Sequence, residues 1–523
     1  MPYTTEDIIE PYWAEYSNEA SGRDPLAIQN SSVVIYTKMI VGITNVTNRI
    51  RYNGFYCWIF DKILKNSPVK NSEKEQIRYS RRAELLLAYI MVNQYPDVTG
   101  VSGTAYAARN VQSNINLKKG ADWESKKEGV TLYWKYKSGI FGQYYSGVVK
   151  ELNLINHKQD ELNIYTLTER GNELAAAFDK NIPTKESKLF LDCVFNGSVN
   201  EIDLAKMKSF ALHIIPENSD ENSFYKQMLL LHDDRKLNPT YHRKNTIKLI
   251  LQYLQNEKDG VEYLSTSFLR HNYTENILLP KLKNDTSSAW YLFEINEIAH
   301  VVFEHFHACF LYSLETYPLP IDDSINSLIE EISLEFKTEK TNTITKTIQQ
   351  LYIEIKIEEE EVYAYYYAMQ QSFREKNYGA CLLNAIKTLL SLYNDCKEHI
   401  EQLEKFASLQ ENNFNRIGNA IDLFKDLIES KWELTISSYS SAVILLAINT
   451  HTFSSYSKTK IGQSLVHNYM IEDNSVWRLR DTEPNRTSPR LQNVAQYMID
   501  VGWLKKEDKI IKITDVGTQI LNR

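Results

Sequence analysis

Two carboxylates and two imidazoles recur at helical spacing in the segment 290–312, and these residue types suit metal-ion chemistry. Glu297 is followed by His300, Glu304 and His307 at +3, +7 and +10, so a helix would place all four on one face. Di-iron bundles use Glu-x-x-His pairs of this kind, but they need one pair on each of two helices. Here both pairs fall on one helix, so a metal-dependent hydrolase centred on these four residues is only an alternative hypothesis.

The other interpretation of this segment is structural. An amphipathic helix would carry the four residues as its polar face and bury the opposite face, formed by Ile295, Ile298, Val302 and Phe306. We favour this interpretation because no second Glu-x-x-His pair occurs nearby in the chain.

No catalytic motif supports an enzyme elsewhere in the sequence. The chain has no G-x-x-x-x-G-K-[ST], no G-x-G-x-x-G after a strand, no H-E-x-x-H and no G-x-S-x-G. We therefore expect a protein that binds rather than catalyses, with no cofactor.

Positive charge is concentrated near the N-terminus. Residues 44–150 contain 17 Lys and Arg against 8 Asp and Glu, a local excess of +9 in a chain whose net charge is −8. This asymmetry indicates that the N-terminal part faces an anion such as nucleic acid, while the rest faces protein or water. The candidates for phosphate contact are Arg49, Arg51, Lys118, Lys119, Lys126, Lys127, Lys135, Lys137, Arg478, Arg480, Arg486 and Arg490.

The first pair of these arginines has a second interpretation. Arg49 and Arg51 lie in an aromatic run with Tyr52, Tyr56 and Trp58, a mixture that suits phosphate contact and base stacking. The periodicity of the run also predicts a buried helix, in which arginines pair with acids or extend to the surface. Both interpretations stay open at this point, and we favour the buried helix.

Two similar arrangements of elements carry the remaining cations. In the first, a helix over 144–152 precedes a polar loop (157–163), a β-like run (164–167) and a helix that Thr168 should cap. In the second, the predicted elements are a helix over 490–500, a strand over 510–513 and a last helix capped by Thr514.

The order of helix, polar hairpin, strand and helix resembles that of the winged-helix superfamily, in which a recognition helix precedes the wing. The run Tyr165-Thr166-Leu167-Thr168, with Gly171 three residues on, is similar to one familiar in that superfamily. The runs 42–47, 49–52 and 141–145 resemble a prokaryotic family without an assigned activity, similar to large helical proteins encoded beside mobile-element or anti-phage defence genes. These resemblances imply contact with DNA and a role in defence.

Scarce glycine (18) and proline (13) predict a mainly α-helical fold, with a large helical body bracketed by two winged-helix (α/β-hairpin) units. No apolar run is long enough to span a membrane, and five cysteines without C-x-x-C spacing favour the cytoplasm. The predicted domains are a helical N-terminal domain (1–115), a winged helix (116–182), a helical body (183–430) and a C-terminal winged helix (431–523).

We therefore expect a non-catalytic, DNA-associated component of a prokaryotic multi-protein system, and the resemblance implies anti-phage defence as that system. It would bind the backbone of double-stranded DNA and a protein partner such as a nuclease, helicase or ATPase subunit. The alternative is a protein–protein scaffold whose winged helices do not touch DNA. Oligomeric state is open at this point.

Overall fold

A computed structural model describes residues 24–66, 72–156, 164–230, 240–280, 282, 285–314, 319–338, 344–358, 360–408, 420–458 and 466–522. The fold is mainly α-helical, as predicted, with a few short antiparallel strands. The polar loop predicted at 157–163 lies outside the described residues.

The helices of the first half of the chain are α1 (Asn30–Met39), α2 (Arg51–Lys65), α3 (Glu73–Gln94), α4 (Thr104–Arg109), α5 (Leu117–Ala121), α6 (Ser146–Glu151), α7 (Glu169–Lys180), α8 (Thr184–Asn196), α9 (Glu201–Leu204), α10 (Asp220–Leu230), α11 (Thr240–Asn256) and α12 (Leu264–Ile277). Those of the second half are α13 (Asp285–Ser313), α14 (Ile321–Thr338), α15 (Ile348–Glu358), α16 (Val362–Arg374), α17 (Tyr378–Cys396), α18 (Ile400–Ser408), α19 (Ala420–Leu427), α20 (Ile436–Lys458), α21 (Leu491–Asp500) and α22 (Asp515–Leu521). Short 3-10 turns occur at Trp123–Glu128, Ala205–Phe210, Lys397–His399 and Glu429–Lys431, and a π-helical turn at Phe141–Tyr145.

The strands form three small antiparallel sheets. They are β1 (Asn114–Asn116) with β2 (Ser198–Asn200), β3 (Leu319–Pro320) with β5 (Ser475–Arg478) and β4 (Tyr469–Glu472), and β6 (Leu504–Glu507) with β7 (Ile510–Ile513).

The chain divides into two compact units, each built from two separate segments. Residues 37–268 and 488–523 contain 38 Lys and Arg against 30 Asp and Glu, a net charge of +8, and we call them the basic unit. Residues 1–36 and 269–487 contain 21 against 37, a net charge of −16, and we call them the acidic unit. The predicted C-terminal domain 431–523 thus contributes to both units.

Helix α2 is the centre of the basic unit, because its aromatic residues are buried on every side of the helix. Trp58 packs edge-on against Phe190 and Phe210, with ring centroids 5.6 and 5.1 Å away. Arg51 is also buried and donates to both carboxylate oxygens of Glu221, at 2.8 and 3.1 Å. The core therefore contains an ion pair that α2 shares with α10.

Helix α13 is the centre of the acidic unit. Every residue from 288 to 311 is buried, because α13 packs against α14, α16, α17, α18, α19 and α20. The expectation of a solvated polar face on this helix is therefore wrong. Glu297, His300, Glu304 and His307 lie inside the protein, and their polar atoms must find partners there.

The predicted helix caps are confirmed. The hydroxyl of Thr168 accepts from the Gly171 amide at 3.0 Å, and that of Thr514 accepts from Gly517 at 3.0 Å. The second arrangement is a regular hairpin of β6 and β7 between α21 and α22. In the first, the β-pairing between the described residues that flank the loop is a single bridge between Ile155 and Leu167. The second arrangement follows the predicted order of elements, whereas the β-like run predicted at 164–167 forms no strand beyond that bridge. The assignment of either arrangement to the winged-helix superfamily stays a prediction.

No α-helix within the described ranges combines the length and the apolar character needed to cross a bilayer.

Candidate functional site

The basic unit contains a groove of about 730 Å³ whose walls come from α3, α4, β1, α5 and the loop 129–134. Two cations, Arg109 and Lys119, lie in its lining, together with the aromatic rings of Tyr106 and Trp134. The lining also contains the amides Asn110, Gln112 and Asn116 and no carboxylate. A groove with cations, amides and accessible rings has the chemistry that nucleic-acid backbones and bases require.

Two buried charges on α3 hold the loop wall of this groove in place. Arg81 donates to the carbonyl oxygens of Ala121 and Trp134 at 2.5 and 3.3 Å, and it lies 4.9 Å from the centre of the Tyr133 ring. Glu84 accepts from the Tyr133 hydroxyl and from the Phe141 amide, the latter at 2.7 Å. Burial raises the pKa of Glu84. Both groups are engaged in structure and are not available to a ligand.

Six further cations of this region differ from these two, and Arg109 and Lys119 among them line the groove. Arg109 donates to the Ala105 carbonyl oxygen at 2.9 Å within its own helix. None of the six forms an ion pair with any residue that the structure describes, and the five lysines are exposed. Lys126 and Lys135 lie over the rings of Trp123 and Tyr136, at 4.7 and 5.4 Å. We call this set the basic surface; it consists of Arg109, Lys118, Lys119, Lys126, Lys135 and Lys137.

The side chain of Lys127, also predicted to bind nucleic acid, lies outside the described residues. The remaining predicted cations of the N-terminal half are engaged with protein groups. Arg49 donates to Asp500 at 2.8 Å and to the Thr99 carbonyl oxygen, and Arg51 is buried on Glu221. Arg51 begins the buried helix α2 and Arg49 lies two residues before it. Both pair with carboxylates, so neither belongs to the basic surface.

The four predicted arginines near the C-terminus are divided between the units. Arg478 pairs with Asp481 at 2.8 Å, and Arg486 pairs with Glu294. Arg480 is half-buried in the acidic unit like these two. Arg490 lies in the basic unit and donates to the Ile43 carbonyl oxygen at 3.1 Å. The structure therefore does not gather these arginines into one exposed cluster.

The C-terminal hairpin offers a second, smaller set of cations in the basic unit. A cleft of about 560 Å³ next to it is lined by Lys506 and Lys509, with Gln492 and Gln496 of α21. Lys509 lies 3.8 Å from Glu262 in the same lining. Arg49 also lies in this lining, so cleft and groove carry the same net charge, but the cleft differs in containing a carboxylate.

The other predicted site, on α13, is a buried cluster that we call the buried polar row: Glu294, Glu297, His300, Glu304 and His307. Within the described part of the chain, Glu297 Oε1, His300 Nε2 and both ring nitrogens of His307 make no hydrogen bond. Its carboxylates accept from the backbone segment that crosses the helix, with Thr487 N–H at 2.6 Å from Glu297 and Asn485 N–H at 3.0 Å from Glu304. Arg486 supplies the countercharge to Glu294. The row therefore fixes the segment 485–487 against α13.

Burial shifts the pKa values of Glu297, His300, Glu304 and His307. It raises the pKa of Glu297 to about 7 and that of Glu304 to about 8, and it lowers the pKa of His300 to about 3. Burial lowers the pKa of His307 too, and the neighbouring His451 adds to that shift. The two imidazoles are therefore neutral at pH 7.

The geometry of the row does not suit a metal. Among the residues that the structure describes, no group of three or more His, Cys, Asp and Glu side chains is placed to hold a metal ion. The His300 Nδ1 faces the Asn296 carbonyl oxygen at 3.2 Å, and His307 packs against the ring of His451 at 4.6 Å. The side chains of the two Glu-x-x-His pairs contribute to the packing of the acidic unit. This geometry does not support the metal-dependent hydrolase.

Comparisons of the chain with protein-family models, curated proteins and solved structures find no match. Its function must therefore be inferred from its own residues.

The sequence predicts the lysines of the basic surface but not the residues that shape the groove beside them. Arg109, Tyr106 and Trp134 line the groove, and Arg109 follows an apolar turn with no other cation near it. The interleaving of Trp123, Trp134 and the lysines between them was a visible signal. The contribution of α4 was not, because α4 is brought to the groove by tertiary packing.

Proposed function

We propose that the chain is a nucleic-acid-binding component of a multi-protein assembly, and that the basic surface binds the backbone of double-stranded DNA. The observation that carries the proposal is the basic surface, six cations that form no ion pair with described residues and two of which line a groove with aromatic rings and amides. Cations that are already paired gain little from a phosphate, whereas unpaired exposed lysines release counterions from DNA at no cost in lost protein contacts.

The winged-helix resemblance supports the proposal at one further place. In that superfamily the helix before the hairpin approaches DNA, and here α21 exposes Gln492 beside the lysines of the β6–β7 hairpin. We propose that this C-terminal arrangement makes a secondary contact. The net charge of −16 on the acidic unit suits a basic protein partner rather than DNA.

The test is the salt dependence of duplex binding by the full chain, measured by fluorescence anisotropy. Reversing the five lysines of the basic surface to glutamate should abolish binding near physiological salt. Replacing them singly with glutamine should lower the slope of log K against log salt by about 0.9 for each lysine that contacts a phosphate. Circular dichroism checks that each variant is folded.

A matched control is Lys356→Glu, since Lys356 is an exposed lysine of the acidic unit. Its affinity for duplex should equal that of the wild type. Reversal of Lys505, Lys506 and Lys509 separates the secondary contact and should weaken binding less than reversal of the basic surface. If neither reversal changes affinity, or if the wild type shows no salt-dependent binding, the protein–protein scaffold is the better description.

A further inference from the structure

A cavity in the acidic unit is lined by aromatic rings and has a volume of about 350 Å³. Tyr312 of α13, Phe373 of α16 and Tyr378 of α17 form its walls. The Phe373 ring lies 5.5 Å from Tyr312 and 6.0 Å from Tyr378, in edge-on and tilted geometry. All three rings are half-buried, and the Arg478 guanidinium lies over the Tyr312 ring at 4.5 Å from its centre, so Phe373 and Tyr378 are the rings left without a cation over them among the described residues. The volume falls within the range of small-molecule sites.

Two cations stand at the rim of this cavity. Arg374 and Lys376 are exposed, and neither pairs with a carboxylate among the described residues. Lys376 follows the end of α16 in the left-handed region, with φ of 61°, where glycine is usually favoured. The Asn377 amide donates back to the Ser372 carbonyl oxygen at 2.9 Å and fixes that turn. Two positive charges are thus unpaired in a unit whose net charge is −16.

A buried histidine supplies the only imidazole of the lining. His305 is 2% exposed, and its Nδ1 lies 2.7 Å from the Val301 carbonyl oxygen. Because a carbonyl only accepts, Nδ1 carries the hydrogen and Nε2 is an acceptor. Burial lowers the pKa of His305 to about 4, so the ring is neutral at pH 7. Within the described part of the chain Nε2 makes no hydrogen bond.

These features lie in one cavity and select a ligand chemistry. The walls suit a flat ring, the Nε2 of His305 suits an N–H donor on that ring, and the rim cations suit an anion. Glu483 also lies in the lining and can accept from hydroxyl groups between ring and anion. We propose that this cavity binds a nucleoside monophosphate, with the base against Phe373 and the phosphate at Arg374 and Lys376.

The proposal is independent of DNA binding by the basic surface, because every residue that lines the cavity belongs to the acidic unit. The test is isothermal titration of the full chain with AMP, GMP, CMP and UMP. Ribose 5-phosphate and adenosine are the truncated probes. We expect at least one nucleotide to bind saturably, and both truncated probes to bind at least about tenfold more weakly than it, since each lacks one of the two recognition elements.

Two variants assign the site. The double variant Arg374→Gln, Lys376→Gln should weaken the nucleotide at least about tenfold and leave adenosine unchanged. His305→Phe keeps an aromatic ring and removes the acceptor, so it should weaken nucleotide and adenosine alike. Lys356→Gln is the matched control and should change nothing, as should charge reversal of the basic surface.

Four results would overturn the proposal. One is the absence of saturable binding for all four nucleotides up to about 1 mM. Another is ribose 5-phosphate binding as tightly as the best nucleotide, which would indicate anion capture without base recognition. The third is a nucleotide affinity that the double variant leaves unchanged. Tighter binding of a 5′-phosphorylated oligonucleotide than of any mononucleotide would also contradict it and assign the cavity to a nucleic-acid end.

Discussion

The basic surface and the buried polar row are built from the same classes of side chain, but they differ in whether those side chains have partners. Each carboxylate of the row accepts from a named donor, such as Thr487 N–H at Glu297. The lysines of the basic surface are exposed and form no ion pair with described residues. Residue type and spacing drew attention to both regions. Only the pattern of partners separates a structural cluster from a candidate binding surface.

The same distinction predicts how the two regions respond to mutation. Removing one partner from the row leaves a charge in the core, which is costly. Removing a lysine from the basic surface leaves no buried group unsatisfied, so its effect should appear in binding and not in stability.

The largest expected effect is on the row. Arg486→Ala leaves Glu294, which is 1% exposed at its side chain, without its countercharge. We expect the free energy of unfolding to fall by about 3 kcal/mol, the lower end for breaking a buried pair, because Arg486 itself is a quarter exposed. Urea unfolding followed by tryptophan fluorescence measures it.

The matched control is Arg478→Ala in the same unit. Its partner Asp481 is 60% exposed, so the loss should be about 1 kcal/mol or less. Equal losses in the two variants would contradict the view that the row is a buried, engaged cluster.

The next largest expected effect is the pH dependence of the free energy of unfolding that Glu297 and Glu304 cause. The folded-state pKa values of Glu297 and Glu304 are about 7 and about 8, above the ordinary value of 4.5. Between the ordinary value of 4.5 and these raised values the native state holds protons that the unfolded state has released, so stability falls as pH rises above about 4.5 and levels off once pH has passed 7 and 8. Each group should contribute a slope approaching about 1 kcal/mol per pH unit until its own pKa is passed.

Urea midpoints between pH 6.5 and 8.5 measure this slope. The variant Glu297→Gln, Glu304→Gln should flatten it, because neither side chain then titrates. His300 opposes this slope near pH 6.5, because its lowered pKa keeps the folded imidazole neutral while the unfolded one, with an ordinary value of 6.5, still binds protons there. That contribution is the same in the wild type and the double variant, so the difference between their slopes reports the two glutamates. An unchanged slope in the double variant would show that other groups cause the pH dependence.

The smallest expected effect on stability belongs to the basic surface. Single replacement of each of its lysines by glutamine should change the free energy of unfolding by no more than about 0.5 kcal/mol. If the same variants also weaken DNA binding, the lysines of the basic surface act in binding and not in stability, in contrast to the residues of the buried polar row. A loss of several kcal/mol from any of them would mean that the lysine has a structural partner and does not belong to the surface.

The sequence predicted features that depend on near neighbours. Thr168 and Thr514 cap their helices as expected, because a cap is decided by residues within one turn. The mainly helical fold follows in the same way from composition and periodicity. The preference for a buried helix around Arg51 was correct, because the aromatic periodicity of α2 was already visible.

Features that depend on distant contacts could not be predicted. The solvated face expected on α13 is buried because the segment 485–487, nearly two hundred residues away, supplies donors to Glu297 and Glu304. The basic unit includes 488–523 because, among other contacts, Val261 pairs with Ile511 across a long sequence separation. The groove beside Lys119 likewise needs α4 to pack against α3, which no local pattern indicates.

The most direct test of the central claim is amine-specific acylation of the full chain with and without duplex DNA, read for each lysine by mass spectrometry. If the basic surface binds the backbone, Lys118, Lys119, Lys126, Lys135 and Lys137 should react several-fold more slowly when duplex is present, while Lys356 of the acidic unit reacts at an unchanged rate. Unchanged rates at those five lysines, under conditions where duplex is bound, would contradict the assignment of DNA binding to this surface.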